Sequence, residues 1–241
     1  MSESVGYVGK DLEAMSFAVN YHRWILSRFA PYLGKRVVEV GAGTGSFSEL
    51  LLELRPQTLS LVEPSQSMFE HLSERAPGFS GSVEVKLYND TFDRVAAQIR
   101  SRQQPDSIVY VNVLEHTADD ESEIRVIGET LGPGGRVFIF VPALSWLYGS
   151  FDREINHYRR YSRRDLESKC RSAGFKILDS RYFDLPGVLP WWLKYRVLQS
   201  RKMEPGAVRF YDQTVVPIAK RLESVIAPPL GKNVLLVAEK L

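Results

Sequence analysis

Three glycines follow directly on an apolar, β-branched run in the stretch VVEVGAGTGSF, from Val37 to Phe47. Gly41, Gly43 and Gly45 occupy alternate positions, and the pattern after them, SFSELLLELR, is helical. A strand, a turn without side chains and a helix N-terminus together bring a ligand close to backbone N–H groups. The chemistry of this chain therefore depends first on which ligand the turn binds.

Acidic residues near the turn favour a cationic cofactor over a dinucleotide. A nicotinamide or flavin site prefers G-x-G-x-x-G, whereas this turn reads G-x-G-x-G and has Ser46 where the last glycine would be. Glu39 precedes the first glycine; its charge repels a pyrophosphate but attracts the ammonium and sulfonium of S-adenosylmethionine. Glu63 lies about 20 residues past the glycines, where a carboxylate can accept hydrogen bonds from both ribose hydroxyls.

Two further residues are expected to contact the adenine of this cofactor. Asp90 follows the third predicted strand and can accept from the adenine amino group, and Met68 lies where it can cover an adenine face. The predicted cofactor site is completed by Ala42, Pro64, Thr91, Asn112 and Val113. Taken alone, Glu63 or Asp90 is more simply a solvated loop carboxylate. Their combination with the glycine turn favours the cofactor.

A parallel sheet is needed to position these residues, and the chain predicts one, because apolar runs alternate with helical patterns. Strands are predicted at 36–40, 58–62, 83–87, 107–112, 135–141, 175–182 and 233–239. Helices are predicted at 11–31, 46–54, 66–74, 91–102, 119–131 and 162–173. At the last of these, Ser162 and Asp165 form a predicted capping box, and Gly174 supplies the C-terminal cap.

The length of the chain, 241 residues, predicts one domain that spans 1–241. Residues 1–34 are expected to form an N-terminal helical lid. The stretches 142–161 and 183–231 do not fit plain alternation and are predicted to be insertions on the substrate side, the second of them helical. Connections this long in a compact domain are more often functional than idle.

Composition excludes several classes of function. A net charge of +2 supplies little attraction to a phosphate backbone, so no nucleic-acid partner is expected. No apolar run is long enough to span a bilayer, and the polar start MSESVGYVGKDLE does not read as a secretion signal. Cys170 is the only cysteine, which rules out an intrachain disulfide and a cysteine-based metal cluster. We expect a cytoplasmic protein, a monomer or a homodimer, without a bound metal.

The chain resembles the class I S-adenosylmethionine-dependent methyltransferases over about residues 35–182. The resemblance rests on EVGAGTG, the acid in LVEPS, ND after the third strand, NVLEH at 112–116 and LGPGGRVFIFVP at 131–142. It implies a Rossmann-like, doubly wound α/β fold: a seven-stranded sheet, mostly parallel with an antiparallel last strand, and helices on both faces. It also implies cofactor roles for Glu39, the three glycines, Glu63 and Asp90. The family often has Asp where this chain has Glu63, and the carboxylate is kept.

NVLEH followed by DD is similar to the small-molecule branch of that superfamily. The stretches LYGSFDREINHYRRYSRRDL and PPLG…LLVAEK further resemble a group of bacterial methyltransferases whose acceptors are mostly unassigned. The resemblance thus implies methyl transfer from S-adenosylmethionine to an oxygen or nitrogen of a small-molecule acceptor.

Methyl transfer depends mainly on alignment of acceptor, methyl and sulfur and on exclusion of water. Where the acceptor must lose a proton, His157 in NHYRRYS is the best candidate base, with His116 second. The alternative for His157 is a loop anchor, and for His116 a residue that orients its own loop. His22 is as compatible with structure as with a place in the lid, and His71, on a polar helix face, is expected to be inert.

Five residues are predicted to contact the acceptor: Tyr21, Trp146, Tyr148, Tyr158 and Arg159. The arginines at 159, 160, 163 and 164 form either a solvated helix start or a clamp for an anionic acceptor. The stretch PWWLKYRVL raises the further possibility of a membrane surface or a lipid-like acceptor.

Two alternatives to a small-molecule methyltransferase stay open. An RNA or protein acceptor would call for asparagine- or aspartate-proline after the fourth strand, where this chain reads NVLEH. A cofactor-binding protein without turnover would keep the same glycines and acids, so that only a methylated product excludes it.

Overall fold

The centre of the computed structural model, which describes residues 18–79 and 83–241, is a seven-stranded sheet in the order β3-β2-β1-β4-β5-β7-β6. Its strands are β1 (Arg36–Val40), β2 (Thr58–Val62), β3 (Glu84–Tyr88), β4 (Ser107–Val111), β5 (Arg136–Pro142), β6 (Phe175–Phe183) and β7 (Asn233–Lys240). The strands from β1 to β5 pair in parallel, and β7 is antiparallel to both β5 and β6. The predicted fold class is confirmed, and each predicted strand boundary is within one residue.

Helices cover both faces of the sheet. They are α1 (Val19–Phe29), α2 (Ser46–Glu53), α3 (Gln66–Arg75), α4 (Phe92–Gln103), α5 (Asp120–Thr130), α6 (Ser150–Glu154), α7 (Arg163–Ser172), α8 (Val188–Trp191), which continues as a π-helix (Trp192–Val197), and α9 (Pro205–Val225). At α7, Ser162 accepts a hydrogen bond from the backbone of Asp165, and Gly174 has a φ of +83° just past the helix end. Ser162 and Gly174 therefore cap this helix where the sequence predicts them; of the predicted capping box, the structure gives the half in which Ser162 accepts.

The alternation of side chains along each strand divides the core into two layers. On β5, Val137, Ile139 and Val141 pack on one face with α4, α5 and α7. Phe138 and Phe140 pack on the other face with α1, α2 and α9. The sheet is thus buried on both sides, as in doubly wound proteins.

Helix α1 belongs to the core as well as to the predicted lid. Trp24, Ile25 and Phe29 are fully buried against the sheet. The backbone N–H groups of Asn20 and Tyr21 donate to the Asp212 carboxylate of α9, which caps a helix end that has no side-chain cap of its own. Residues 1–17 of the predicted lid lie outside the described residues, and a lid role for 1–34 stays a prediction.

The two predicted insertions contact each other. The first contains α6, and the second contains α8, the π-helix and α9. A Cβ at Gly149 would lie only 2.4 Å from the backbone oxygen of Tyr195. The two segments therefore approach too closely at this point for any residue other than glycine. The Ser150 hydroxyl donates to the same oxygen at 3.0 Å. Together the insertions form one wall beyond the carboxyl ends of β4 and β5.

Candidate active site

A first cavity of about 360 Å³ lies where β1 and β4 pair and the strand order changes direction. Ligands of open α/β sheets bind at such a switch point, outside the carboxyl ends of the strands. The cavity is lined by residues of the β1–α2 turn, the ends of β2 and β4 and the start of α4: Glu39 to Thr44, Ser46, Phe47, Glu63 to Ser65, Thr91 to Asp93, Val111 to Val113, His116, Thr117, Glu123 and His22. We call it the cofactor cavity.

The first glycine of the turn is required by both its conformation and its surroundings. Gly41 has a φ of +70°, a region that residues with side chains rarely adopt. A Cβ at this position would lie 2.3 Å from Cγ2 of Val113, which follows β4. The turn therefore passes directly against the end of β4, and its backbone forms the floor of the cofactor cavity.

The two acids of the cofactor cavity are buried but differ in their partners. The Glu63 carboxylate accepts from the backbone N–H groups of Gly43 and Ser65, both at 2.8 Å, and so connects the glycine turn to the start of α3. Burial raises the pKa of Glu63, and these two hydrogen bonds offset part of the shift. Glu39 accepts from the Ser48 hydroxyl, and burial raises its pKa to about 8. In the free protein Glu39 is thus largely protonated at neutral pH, and within residues 18–79 and 83–241 no cation pairs with it.

Nine of the predicted cofactor residues line this cavity: Glu39, Gly41, Ala42, Gly43, Glu63, Pro64, Thr91, Asn112 and Val113. Three others do not. Gly45 caps α2, Met68 is half-buried on α3, and Asp90 accepts from the backbone of Thr91 and pairs with Arg94. The structure therefore keeps Met68 and Asp90 outside the cavity wall, and adenine contacts from them stay a prediction.

His22 of α1 also lines the cofactor cavity. Its ring meets Phe47 edge-on at 5.8 Å between centroids, and burial lowers its pKa to about 4. A neutral imidazole is therefore present at the wall of the cofactor cavity across the physiological pH range. The sequence leaves His22 open between a structural role and a place in the lid, and the lid role stays a prediction.

A second cavity of about 220 Å³ adjoins the first, and the two share Asn112 and His116 as lining residues. Its wall comes from α1, the ends of β4 and β5, both insertions and the start of β7. Its polar and aromatic lining includes Tyr21, Glu115, His116, His157, Arg160, Trp191, Lys194, Tyr195, Tyr211 and Lys232. We call it the acceptor cavity. Asn112 has a φ of +55°, so strained backbone marks the boundary between the two cavities.

A buried ionic cluster lies on one side of the acceptor cavity. Asp152 Oδ1 lies 3.0 Å from His157 Nδ1 and accepts from Arg160 Nε at 2.8 Å. Burial raises the pKa of Asp152, but its bonds to His157 and Arg160 lower it more, so the net pKa is below its usual value. The Arg160 guanidinium also donates to the Ala143 carbonyl and lies 4.7 Å from the centre of the Trp191 ring. The loop that carries His157 is thus held by charges that are fully removed from water.

The carboxylate of Glu115 faces this cluster. Its side chain is fully buried, and neither carboxylate oxygen has a partner among the described residues. His157 Nε2 lies 3.8 Å from Glu115 Oε1, beyond hydrogen-bond distance. Burial raises the pKa of Glu115 to about 7, which the nearby His157 and Arg160 partly offset. An unpartnered buried carboxylate beside a cavity needs a partner from a ligand or a neighbouring imidazolium.

His116 completes the group. Its ring lies nearly perpendicular to that of His157, with 4.6 Å between centroids, and it forms a hydrogen bond with the Asn156 backbone. Burial and the neighbouring His157 lower its pKa to about 3. Ligand atoms of Glu115, His116 and His157 all lie within 4.8 Å of one another, so these side chains could hold a metal ion. The sequence predicts no metal site, and the folded chain nevertheless brings together this set of ligand types.

The predicted acceptor contacts are mostly placed elsewhere. Only Tyr21 lines the acceptor cavity. Trp146 and Tyr158 are exposed, and the Tyr148 hydroxyl donates to the carbonyl of His157. Arg159 pairs with Asp120 and donates to the Ala118 carbonyl. Arg159, a predicted acceptor contact, therefore pairs with groups of the protein itself.

Arg160 corrects the interpretation of the basic run, because it is neither a solvated helix start nor an open clamp. Glu115 is the most informative of the site residues that the sequence analysis does not predict. Its position next to His116 in NVLEH is the signal that could have indicated it. Lys232 is another: it pairs with Asp184 at 3.0 Å and lies 5.0–5.8 Å from the rings of Tyr21, Trp191 and Tyr211. No local pattern indicates Lys232, since its partners lie in α1 and in the second insertion and none of them is near it in sequence.

Comparisons with known proteins agree with this geometry. A family described as "Methyltransferase domain" matches residues 19–180, about two thirds of the chain. The ubiquinone biosynthesis O-methyltransferase of Azotobacter vinelandii is 26% identical over 159 residues, which cover 61% of this chain and 66% of that protein. Others with the same name match over less than half their length, so this chain aligns with about half to two thirds of these curated relatives.

Two solved structures are similar in fold. Phosphoethanolamine N-methyltransferase 2 of Haemonchus contortus, in complex with S-adenosyl-L-methionine, is 20% identical with a TM-score of 0.60; the match covers 92% of this chain and 52% of that one. The [4+2]-cyclase SpnF is 18% identical with a TM-score of 0.57, covering 92% and 80%. The family match, the sheet order and the glycine turn lead to one conclusion: this chain belongs to the class I S-adenosylmethionine-dependent methyltransferases.

Proposed function

We propose that this protein transfers a methyl group from S-adenosylmethionine to a hydroxyl oxygen, or an amine nitrogen, of a small-molecule acceptor. The observation that carries the proposal is the boundary at Asn112 and His116, where the cavity lined by predicted cofactor residues meets a second cavity with a buried carboxylate and two imidazoles. Such an arrangement lets two ligands approach each other end to end.

The residues of the cofactor cavity fit S-adenosylmethionine. Gly41 lets the turn pack directly against Val113, where a Cβ would lie only 2.3 Å from Cγ2 of that residue. Glu63 keeps free lone pairs on both oxygens, which can accept from the ribose hydroxyls. Glu39 has no cationic partner in the described part of the chain, and the methionine ammonium would supply one. We propose cofactor contacts for the predicted residues that line this cavity, and we keep Gly45 as the cap of α2 rather than a direct contact.

When bound, the cofactor supplies a methyl group on a positively charged sulfur. The acceptor is then held with its reacting atom at the boundary near His116, and a hydroxyl acceptor gives its proton to Nε2 of His157. The Asp152 carboxylate, on Nδ1, fixes the orientation of the ring. Glu115, 3.8 Å from Nε2, stabilises the imidazolium that forms. His116 is the neutral neighbour that positions the acceptor.

Oxygen is the favoured acceptor atom for two reasons. A buried base is needed to remove a hydroxyl proton, and the curated relatives are named O-methyltransferases. A cavity of about 220 Å³ suits a small acceptor, or one end of a larger amphiphilic one, rather than a folded macromolecule. None of the helices in the described ranges, 18–79 and 83–241, has the length and hydropathy to cross a membrane. A cytoplasmic location belongs to this proposal; the buried, unpaired thiol of Cys170 suits a reducing compartment.

The test is transfer of labelled methyl from S-adenosylmethionine into a metabolite extract, read by mass spectrometry. A labelled product whose yield depends on the protein supports the proposal. Glu63→Ala should weaken S-adenosylmethionine binding by about 1.5–3 kcal/mol, the range for hydrogen bonds with a charged group. Cofactor binding without any product in extracts of several kinds would indicate the binding protein without turnover.

A further inference from the structure

Residues 185–203, between the end of β6 and α9, expose an apolar surface to solvent. Leu189, Trp192, Leu193, Val197 and Leu198 have between 39% and 69% of their surface exposed. Four of the five lie on the π-helix or within one residue of it, and π-helical turns are found frequently at functional sites. We call these five side chains the outer face of the segment. Large apolar side chains exposed together in one short segment are typical of an interaction site.

The same segment carries a concentrated positive charge. Residues 185–203 contain Lys194, Arg196, Arg201 and Lys202 and no acidic residue. Lys194 lines the acceptor cavity and lies 3.9 Å from Glu204, whereas Arg196, Arg201 and Lys202 are exposed. The whole chain has a net charge of only +2, so these three exposed positive charges are a local excess. Cations interleaved with Trp and Leu are typical of segments that lie in the interface of an anionic membrane.

The inner side of the segment forms a wall of the acceptor cavity. Trp191, Lys194 and Tyr195 line the cavity, and Trp191 and Tyr195 pack against Phe151 of α6. One short stretch of chain therefore separates the cavity from the outer face. Whatever the outer face contacts lies next to the place where the acceptor enters or is held.

We propose that the outer face of residues 185–203 docks on a lipid bilayer surface that contains anionic lipids, and that the acceptor is an amphiphile taken from that bilayer. The second half of this inference rests on the proposed function. Charge complementarity favours the bilayer over a second copy of this chain, because a two-fold interface would bring the two cationic segments together. It equally favours lipid over a neutral apolar partner.

The experiment is flotation of the full chain with vesicles of phosphatidylcholine alone and of phosphatidylcholine mixed with phosphatidylglycerol. We expect binding to the mixed vesicles that falls as salt is raised, and little binding to the neutral vesicles. Leu193→Asp combined with Leu198→Asp should lower the bound fraction at least tenfold. Arg196→Gln, Arg201→Gln and Lys202→Gln should each lower the partition coefficient about fivefold, from roughly 1 kcal/mol per cation.

Leu241→Asp is the matched control. Leu241 is 75% exposed and follows β7. Because β7 is antiparallel to β5, the C-terminal end of β7 lies at the other end of the strands from the acceptor cavity. This variant should float like the wild type, and circular dichroism should give the same spectrum for all variants. Wild-type protein that does not float with anionic vesicles overturns the inference, as does a Leu193/Leu198 variant that floats equally well.

Two further readouts keep the outcomes separate. A wild-type dimer in sedimentation that Leu198→Asp dissociates, without vesicle binding by either, would identify the outer face as a contact between copies and overturn the bilayer. Calorimetry with S-adenosylmethionine needs no vesicle, so binding of the cofactor without flotation rejects this inference alone. Flotation by a protein that binds no cofactor would instead reject the proposed function and, with it, the acceptor half of the inference.

Discussion

Nδ1 of His157 lies 3.0 Å from Oδ1 of Asp152, five residues earlier in the chain, and the same oxygen accepts from Arg160. This relationship assigns the two ring nitrogens different tasks. Nδ1 is held by a carboxylate whose pKa is lowered, despite its burial, by these bonds. Nε2 is left on the side of Glu115 and the acceptor cavity. The ring can therefore act on an acceptor without losing its orientation.

His157→Ala should lower kcat by roughly 10²–10⁴-fold, because the acceptor hydroxyl loses its base. Affinity for S-adenosylmethionine should be kept, since His157 does not line the cofactor cavity. Steady-state kinetics with calorimetry separate the two effects. His71→Ala is the control; His71 is 63% exposed in its side chain and lies 3.9 Å from Glu74. A variant with raised KM but normal kcat would instead make His157 a loop anchor.

Asp152→Ala should lower the free energy of unfolding by about 3–5 kcal/mol, because the buried Arg160 guanidinium then loses the carboxylate to which it donates. Arg163→Ala removes a pair of the opposite kind, exposed and 3.6 Å from Glu167. That substitution should change stability by less than about 1 kcal/mol. Urea denaturation of both variants measures the difference. Equal effects would mean that the Asp152 cluster does not stabilise the fold as described.

Binding of S-adenosylmethionine near pH 7 should release close to one proton from the protein. Glu39 has a pKa of about 8 in the free protein and is mostly protonated, and a bound ammonium favours its ionised form. Calorimetric titrations in buffers of different ionisation enthalpy measure this proton. The release should disappear in Glu39→Gln. Identical binding enthalpies in all buffers would show that Glu39 does not meet a cation.

The same pKa predicts how the free protein responds to pH. Glu39 ionises near 4.5 in the unfolded chain but near 8 in the folded one, so the folded state binds the extra proton between these values. Stability relative to Glu39→Gln should therefore fall as pH rises from about 5 to 8. Thermal unfolding at several pH values gives this difference directly.

A chelator should leave methyl transfer unchanged. Glu115, His116 and His157 have the types and spacing of metal ligands, but the positive charge of Arg160 acts on Glu115 and opposes a divalent cation there. Rates before and after dialysis against EDTA provide the measurement. Loss of activity that Zn²⁺ or Mg²⁺ restores would contradict the base assignment and make the three residues a metal centre.

The parts of this site that the sequence predicts are local. The glycine turn, Glu39 and Glu63 lie at or next to the ends of strands. Strand ends can be predicted from apolar runs and turn residues. Asp90 follows its strand as predicted, yet its side chain turns to the adjacent helix start and to Arg94. Sequence position fixes the strand end but not the direction of a side chain beyond it.

The acceptor side depends on long-range contacts, which no local pattern encodes. Arg160 is buried because Asp152, Ala143 and Trp191 converge on it. Its neighbour Arg159 points the other way, towards Asp120. Four arginines in a short stretch therefore have different surroundings, and only the packing of the two insertions separates them.

The most direct test of this account is a crystal structure of the protein with S-adenosylhomocysteine. We predict that both ribose hydroxyls donate to Glu63, that the ammonium meets Glu39, and that the sulfur points past Asn112 and His116 into the acceptor cavity. A ligand whose sulfur faces away from that boundary, or a ribose without contact to Glu63, would contradict the proposal that methyl transfer takes place where the two cavities meet.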